Sequence, residues 1–202
     1  KNLHTIHKGE TFKVIIRELE KRGYTLAYKV IDSKYYNSPQ SRQRIYIVGQ
    51  KNRQYEFKNI EYPIRPVSSI IDHSVETFLD YEDKYRLEKC PGKNSMMKYK
   101  LINKSTGKGG RQGERVYSID NCGPTICATS GGPGSKTGLY EIDGKIRKLT
   151  VHETLQMFGF DINYKYESLA NKKRMLFYLG NSIVVNVLVE IIKQLSVLPC
   201  SQ

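Results

Sequence analysis

The feature that most limits how this chain can fold is an apolar segment near its C-terminus, GNSIVVNVLVEIIKQL. It begins with Gly180, Asn181 and Ser182 and continues as a run that is apolar on nearly every face of a helix. Such a helix needs burial on several sides, so it must dock into a larger body. Asn181 or Ser182 can cap it, and the free amides at its N-terminus can hold an anionic group. A plain cap is the simpler interpretation.

The N-terminal segment supplies part of that larger body. Apolar residues recur at helical spacing in residues 10–23, which predicts an amphipathic helix that ends at Gly23. Residues 24–32 alternate as a strand does, and a loop leads into a second predicted strand, RIYIVG, at residues 44–49. Helix, strand, loop and strand in this order indicate an α/β fold.

Three polar residues stand on alternate positions at the start of the second strand. They are Gln40, Arg42 and Arg44. Alternate residues of a strand face the same side, so these side chains should share one surface at the mouth of a buried strand. An exposed turn after Pro39 is the ordinary explanation of such a cluster, and the local sequence leaves both open.

A glycine-rich segment at residues 106–150 predicts a small, loop-rich β domain. Its short β-like runs cover residues 115–118, 125–128 and 139–142. Glycines let a backbone approach a partner closely, and interspersed cations can donate to phosphates or base edges. These cations are Lys108, Arg111, Arg115 and Lys136. Ordinary hairpin turns with solvated lysines explain the segment equally well.

Directly after it, LTVHETLQMFGF predicts a short helix with defined ends. Thr150 and Glu153 have the spacing of a capping box, and Gly159 follows the last apolar residues. His152 lacks a second metal-type residue at a useful spacing and is interpreted as a polar helix residue.

The charge balance favours a polyanionic partner. The chain has 33 Lys and Arg against 20 Asp and Glu, a formal net charge of +13. Nucleic acid is one such partner, and a merely soluble basic surface is the alternative. Its four cysteines, Cys90, Cys122, Cys127 and Cys200, show neither a Cys-x-x-Cys framework nor histidines at zinc spacing. We expect no disulfides and no metal site.

No membrane association is expected either. The most apolar run, residues 183–192, is interrupted by Asn186 and Glu190 and is too short to span a bilayer. Reduced cysteines and the lack of a signal peptide at Lys1 indicate a cytoplasmic protein.

Four segments in order are PQSRQRIYIVG, GKGGRQGERVYS, residues 124–160 and LGNSIVVNVL. Together they resemble the DNA cytosine-5 methyltransferases, most closely the HhaI type, over nearly the whole chain. The resemblance implies part of a Rossmann-like α/β large domain that binds S-adenosylmethionine, and a small β target-recognition domain. It places residues 1–58 in the catalytic domain, 59–170 in the target-recognition domain, and 171–202 in a helix that returns to the catalytic domain.

The resemblance also implies roles for single residues. The family's second arginine of Gln-x-Arg-x-Arg contacts the extruded cytosine, and here it is Arg44. Arg42 and Gln40 are then supporting or phosphate-contacting neighbours. The cofactor's methionine part is expected beside Gly180, Asn181 and Ser182. Gln112 and Arg115 match the family residues that enter the space left by the flipped cytosine and contact the bases. Arg111 looks like a one-residue insertion relative to the HhaI type, so the register can differ by one and Arg111 can take the place of Gln112. Thr125 is expected near the backbone of the flipped nucleotide, and Gly131, Gly132 and Lys136 are the further expected contacts to duplex DNA.

The chain departs from a complete enzyme of this family. The family's Pro-Cys-Gln loop with the nucleophile, its early cofactor glycines and its Glu-Asn-Val segment do not occur in the sequence. In relatives, the stretch that resembles residues 1–12 follows the Glu-Asn-Val segment. We therefore expect a fragment or one subunit of a divided enzyme, inactive alone, whose partner is the missing N-terminal half.

The resulting hypothesis is part of a bacterial restriction-modification methyltransferase that flips its target cytosine. Two alternatives stay open: a catalytically inactive, sequence-specific DNA-binding module, and a methyltransferase that acts on transfer RNA. The glycine-rich recognition segment favours duplex DNA, because groove readout needs a domain that approaches the bases closely.

Overall fold

The computed structural model describes residues 9–91 and 96–196. Its helices are α1 (Glu10–Glu20), α2 (Val151–Met157), α3 (Lys172–Asn181) and α4 (Val185–Ser196). Its strands are β1 (Thr25–Asp32), β2 (Gln43–Gln50), β3 (Tyr85–Lys89), β4 (Met97–Asn103), β5 (Arg115–Ser118), β6 (Leu139–Ile142) and β7 (Lys145–Arg147). The first eight residues and Cys200, which entered the predictions above, lie outside the described residues.

The N-terminal helix, strand and strand are confirmed. α1 is followed by Gly23 in the left-handed conformation, at φ 79°, which turns the chain toward β1. β1 and β2 pair antiparallel along their whole length, from Thr25 opposite Gln50 to Asp32 opposite Gln43. α1 packs on this hairpin through Phe12, whose ring meets Tyr28 edge-on at 4.9 Å.

A second sheet of five strands has the order β3-β4-β5-β6-β7. Its one parallel pair in the described chain is β5 with β6, and parallel neighbours require a crossover connection. Here the crossover is residues 119–138, a long loop that leaves the sheet and returns. The β-like runs at 115–118 and 139–142 are confirmed as β5 and β6.

The predicted run at 125–128 is not a strand. Its main chain bonds to side chains of another segment instead of a neighbouring strand: Ile126 N donates to Gln40 Oε1 and Ile126 O accepts from Arg42. β3 and β4 were not predicted, because charges and aromatics there follow no clear alternation.

The main hydrophobic core runs through most of the chain. Buried residues of β1 and β2, such as Ile31 and Tyr46, belong to the same cluster as Leu155, Leu179 and Val187 of the last three helices. A smaller cluster, Leu101, Val116, Leu139 and Ile146, lies on the five-stranded sheet. The core therefore crosses residues 58 and 171, and the domain boundaries at those positions stay a prediction.

The helices near the C-terminus differ in part from expectation. α2 has the predicted capping box, with the Glu153 amide donating to Thr150 Oγ1 at 3.1 Å. However, Gly180 and Asn181 form the end of an unpredicted helix, α3, so they do not cap the helix that follows. Ser182 likewise closes α3, because its amide donates to Leu179 O at 2.9 Å. The predicted capping of α4 by these residues is therefore wrong.

α4 is buried on one side and exposed on another. Val187 and Ile191 are in the core, whereas Val189 is 41% and Ile192 56% exposed. Among the described residues no single helix is long and apolar enough to cross a bilayer. Taken together, α3 and α4, which are bent by 45° relative to each other, have the necessary length and apolar content. The same part of the chain gathers no three His, Cys, Asp or Glu side chains at metal-ligand distance.

A buried ion pair joins β7 to α2. Arg147 and Glu153 are 2% and 1% exposed, and their two hydrogen bonds measure 2.7 and 2.8 Å. Glu153 also accepts the amides of Asp72 and Thr150. Burial opposes its ionisation, but the bonds from Arg147 and from the two amides outweigh burial and lower the pKa of Glu153 from 4.5. The carboxylate is thus held ionised.

This pair predicts acid sensitivity. Because the pKa of Glu153 is lowered by folding, its ionised form stabilises the protein above about pH 4.5 and that contribution is lost as the pH falls below it. Glu153→Gln should be less stable at pH 7 and should lose less free energy of unfolding on acidification. Urea unfolding followed by circular dichroism, repeated over a range of pH, gives the free energy of unfolding of both proteins. An equal loss of free energy on acidification in the two proteins would exclude Glu153 as the group responsible.

Candidate active site

Gln40 is a buried connector and not an exposed turn residue. It is 0% exposed, its Oε1 accepts the amide of Ile126 at 3.0 Å, and its Nε2 donates to Met157 O at 3.3 Å. Ser38 donates to the same Met157 oxygen at 2.9 Å. The segment before β2 is thus fastened to the crossover loop and to the end of α2.

Arg42 joins three parts of the chain. Its guanidinium donates to Ile126 O at 2.7 Å, to Gly180 O at 2.8 Å and to Ser182 O at 2.7 Å. The last two oxygens lie at the C-terminal end of α3, where the helix dipole favours a cation. Arg42 is only 2% exposed, and its guanidinium also lies 5.1 Å from the centre of the Phe158 ring.

The burial of Arg42 decides between its two expected roles. Burial and then the charge of Arg44 lower the pKa of Arg42 to about 10, so it is still a cation at neutral pH. This cation points inward to main-chain oxygens, which favours the supporting role over a contact to phosphate. It supports its neighbours from inside the protein.

Of the two arginines among the alternating polar residues, Arg44 is the accessible one. It is half-buried at the start of β2, opposite Ile31 of β1, and its Nη1 donates to Gln43 O at 2.8 Å. Its charge acts on Arg42 and on Tyr46, whose pKa burial raises to about 12. Arg42, Arg44 and Tyr46 stand at alternate positions and are near enough to one another for their charges to interact, which agrees with the alternation of a strand.

The crossover loop brings one expected DNA contact, Thr125, to this place and holds a second, Gln112, against itself. Thr125 Oγ1 donates to Ser41 O at 2.7 Å, directly between Gln40 and Arg42. Gln112 lies against the same loop, because its Nε2 donates to Thr125 O at 3.1 Å and to Cys127 Sγ at 3.2 Å. The Gln112 side chain is itself exposed, so its amide can exchange these contacts for others.

The glycines of the recognition segment pack backbone to backbone. A β-carbon on Gly113 would overlap the main-chain oxygen of Gly131, and Gly113 O accepts the amide of Gly134 at 2.7 Å. Gly131 and Gly132 are exposed, and Gly132 has a φ of 85° that favours glycine. The segment with Gln112 and the loop around Gly131 thus form one joined surface.

The remaining expected DNA contacts surround this surface. Arg111 is exposed, and its amide donates to Glu114 Oε2 at 3.0 Å. Arg115 is half-buried and donates from Nε to Gly110 O at 2.9 Å. Lys136 belongs to the Gly131 loop but reaches α3, where its Nζ donates to Lys173 O at 3.0 Å.

The expected cofactor residues fit a ligand unequally. A β-carbon on Gly180 would overlap the backbone of Cys127 and Ala128, so this glycine serves close packing and leaves no space for a ligand at its α-carbon. Asn181 is exposed and Ser182 half-buried, and their side chains donate within their own segment to Phe177 O and Ile183 O at 3.3 Å.

The sequence did not reveal how these groups are connected. Ile126 and Cys127 were not expected to take part, yet one carries both contacts to Gln40 and Arg42 and the other contacts Gln112. The signal that was available is the alternation of polar residues before β2. It indicates a shared side and not which segment covers that side.

Comparison with known proteins gives one consistent family. A family model described as C-5 cytosine-specific DNA methylase matches residues 1–197. The type II methyltransferase M.HhaI of Haemophilus parahaemolyticus is 30% identical over 197 residues, which cover 93% of this chain and 58% of that protein. M.Bsp6I of Bacillus sp. (strain RFL6) is 31% identical over 192 residues, covering 93% and 60%.

Solved structures agree on the fold. The Entamoeba histolytica methyltransferase EhMeth aligns with a TM-score of 0.64 at 15% identity, over 94% of this chain and 59% of that one. The Dnmt2 methyltransferase of S. pombe aligns with a TM-score of 0.62 at 16% identity, over 95% and 61%. The chain therefore has an α/β fold similar to methyltransferases and spans about three fifths of the length of these relatives.

Proposed function

Because the chain belongs to the C-5 cytosine-specific DNA methylases, we propose that it carries the target-recognition half of a DNA (cytosine-5) methyltransferase. The enzyme would act in a restriction-modification system of a bacterial cytoplasm. It would transfer a methyl group to carbon 5 of a cytosine flipped out of duplex DNA. One observation carries the proposal: Arg42, Thr125 and their partners bring the three groups of expected site residues into direct contact.

Arg44 supplies the electrostatic part of the chemistry. When a thiolate adds to carbon 6 of cytosine, negative charge builds on the ring, and a guanidinium that donates to the ring oxygen stabilises it. Arg42 and Gln40 hold the strand that presents Arg44 and exclude water behind it. S-adenosylmethionine, when bound, would supply the methyl group, and Asn181 and Ser182 would hold its amino-acid end.

Gln112 and Thr125 suit the recognition step. Flipping a base costs a few kcal/mol of stacking and pairing, which protein contacts must offset. The Gln112 amide has both a donor and an acceptor for the guanine that loses its partner. Thr125, whose hydroxyl donates to Ser41 O three residues before Arg44, would approach the flipped nucleotide. Arg111 and Arg115 flank Gln112 and add cations for base edges or phosphates.

The described cysteines do not supply the nucleophile. Cys90 and Cys122 are buried, and burial raises the pKa of Cys122, which disfavours its thiolate. Cys127 is half-buried and accepts the Gln112 amide. We therefore propose that this chain alone is inactive and that a second part, with the Pro-Cys-Gln loop, completes the site.

Apolar side chains on the first sheet and on α4 support a second part. On β1, Tyr28 and Val30 are 50% and 41% exposed, and on α4 Val189 and Ile192 are 41% and 56% exposed. Apolar surface of this kind marks an interaction site. The half of the catalytic domain that this chain lacks relative to its family would cover it.

Reconstitution tests the proposed function. The chain is mixed with the N-terminal part of the same methyltransferase, read from the gene upstream of Lys1 or from a neighbouring gene, and methyl transfer from labelled S-adenosylmethionine is measured. Transfer to duplex DNA is expected from the mixture and from neither part alone. Transfer to transfer RNA and not to DNA would contradict the proposal. DNA binding without transfer to either would instead favour the inactive DNA-binding module.

A further inference from the structure

The segment with Gln112 and the loop around Gly131 form one surface, which we call the recognition surface. A cluster of cations lies beside it, and its members other than Lys136 have no role in the proposal above. The first turn of α3 carries three exposed cations and no acidic residue. Lys136 of the Gly131 loop reaches this turn through its bond to Lys173 O. Lys148 and Lys172 line the same cavity of about 1030 Å³. We name this cluster the basic ledge: Lys136, Lys148, Lys172, Lys173 and Arg174.

The basic ledge is electrostatically unfavourable within the protein itself. The N-terminal end of a helix is positive, so acidic residues are favoured there and three cations are not. None of the ledge side chains forms an ion pair with a carboxylate in the part of the chain that the structure describes. Burial and the charge of Lys136 also lower the pKa of Lys148. A bound polyanion would relieve this repulsion.

The ledge continues the recognition surface. Lys136 O accepts the amide of Cys127 at 3.3 Å, and Lys136 N donates to Ser130 Oγ at 2.6 Å, so its backbone is fixed within the crossover loop. Its ammonium is held 5.5 Å from the centre of the Phe177 ring on α3. Cations that extend from a base-reading loop along a neighbouring helix suit a regularly charged backbone.

We propose that the basic ledge binds the phosphate backbone of duplex DNA next to the target base. This inference rests on the proposed function, because it takes duplex DNA as the partner of the recognition surface. The ledge would contribute affinity and fix the position of the duplex, while the residues around Gln112 read the bases.

Charge-neutral variants of the whole chain test the ledge. Lys172→Gln combined with Lys173→Gln removes two ledge charges, and Lys13→Gln combined with Lys21→Gln, the α1 variant, removes two exposed charges from α1 and the residue that follows it. Binding of a fluorescent duplex oligonucleotide is measured for the wild-type chain and both variants over a range of salt concentrations. Circular dichroism checks that each variant folds.

The ledge variant should bind about tenfold or more weakly at low salt, and its log–log salt slope should fall by about two, because each lost phosphate contact removes about 0.9 from the slope. The α1 variant should keep the wild-type slope. Equal slopes for the two variants would overturn the proposal. The same assay is repeated with an RNA oligonucleotide, and a ledge variant that loses RNA binding while duplex DNA binding stays intact would also overturn it. Methyl transfer is measured separately, so an inactive reconstituted enzyme with the ledge effect present contradicts only the proposed function.

Discussion

Arg44→Ala in the reconstituted enzyme should lower the rate of methyl transfer by more than tenfold while duplex DNA binding changes far less. The reason is that the bond from the guanidinium to the cytosine ring strengthens as negative charge develops in the transition state. Most of the loss should therefore appear in kcat and little in the dissociation constant for DNA. Single-turnover methylation and equilibrium binding to the same duplex measure the two quantities.

Two further variants make the result specific to Arg44. Arg44→Lys keeps the charge but not the forked donors, so it should recover part of the rate. Arg22→Ala removes an exposed arginine of the same chain that donates to Glu18 O at 2.8 Å, and it should leave both quantities unchanged. A parallel loss of binding and rate in Arg44→Ala would assign this residue to DNA binding and not to transition-state stabilisation.

The sequence predicted the elements whose signals are local. Regular apolar spacing identified α1, the capping box of Thr150 and Glu153 identified α2, and alternation identified β1 and β2. The hairpin of β6 and β7 also has a local cause, because Asp143 and Gly144 both have positive φ as a tight turn between strands requires. Each of these signals resides within a few neighbouring residues.

The connections of the site could not be predicted in this way. α3 was missed because its first turn is basic and exposed and its end, Gly180 and Asn181, looks like the start of the next helix. The burial of Gln40 and Arg42 depends on acceptors and donors that lie 84 to 140 residues away in the chain. Local periodicity shows where a polar side chain points but not which distant backbone group it meets.

Arg42 gives the second large expected effect, on stability. Arg42→Ala would leave the buried oxygens of Ile126 and Gly180 and the partly buried oxygen of Ser182 without this donor, and a buried unsatisfied polar group costs about 1–3 kcal/mol. We expect the free energy of unfolding of the chain to fall by at least about 3 kcal/mol. In a protein of this size that corresponds to a drop of roughly 6–12 °C in Tm. Thermal and urea unfolding followed by circular dichroism measure it.

Comparison with Arg22→Ala shows whether the loss of stability comes from the three hydrogen bonds of Arg42 or from the removal of any arginine. Arg22 makes a hydrogen bond of 2.8 Å to a main-chain oxygen too, but it is exposed in the turn after α1, so Arg22→Ala should change stability by less than about 0.5 kcal/mol. Arg42→Lys keeps a cation that can reach fewer of the three oxygens and should fall between the two. Because Arg42 is buried, a partly stable variant such as Arg42→Lys should bind duplex DNA with the wild-type salt slope. A reduced salt slope together with unchanged stability would instead indicate that Arg42 contacts phosphate, contrary to what its burial suggests.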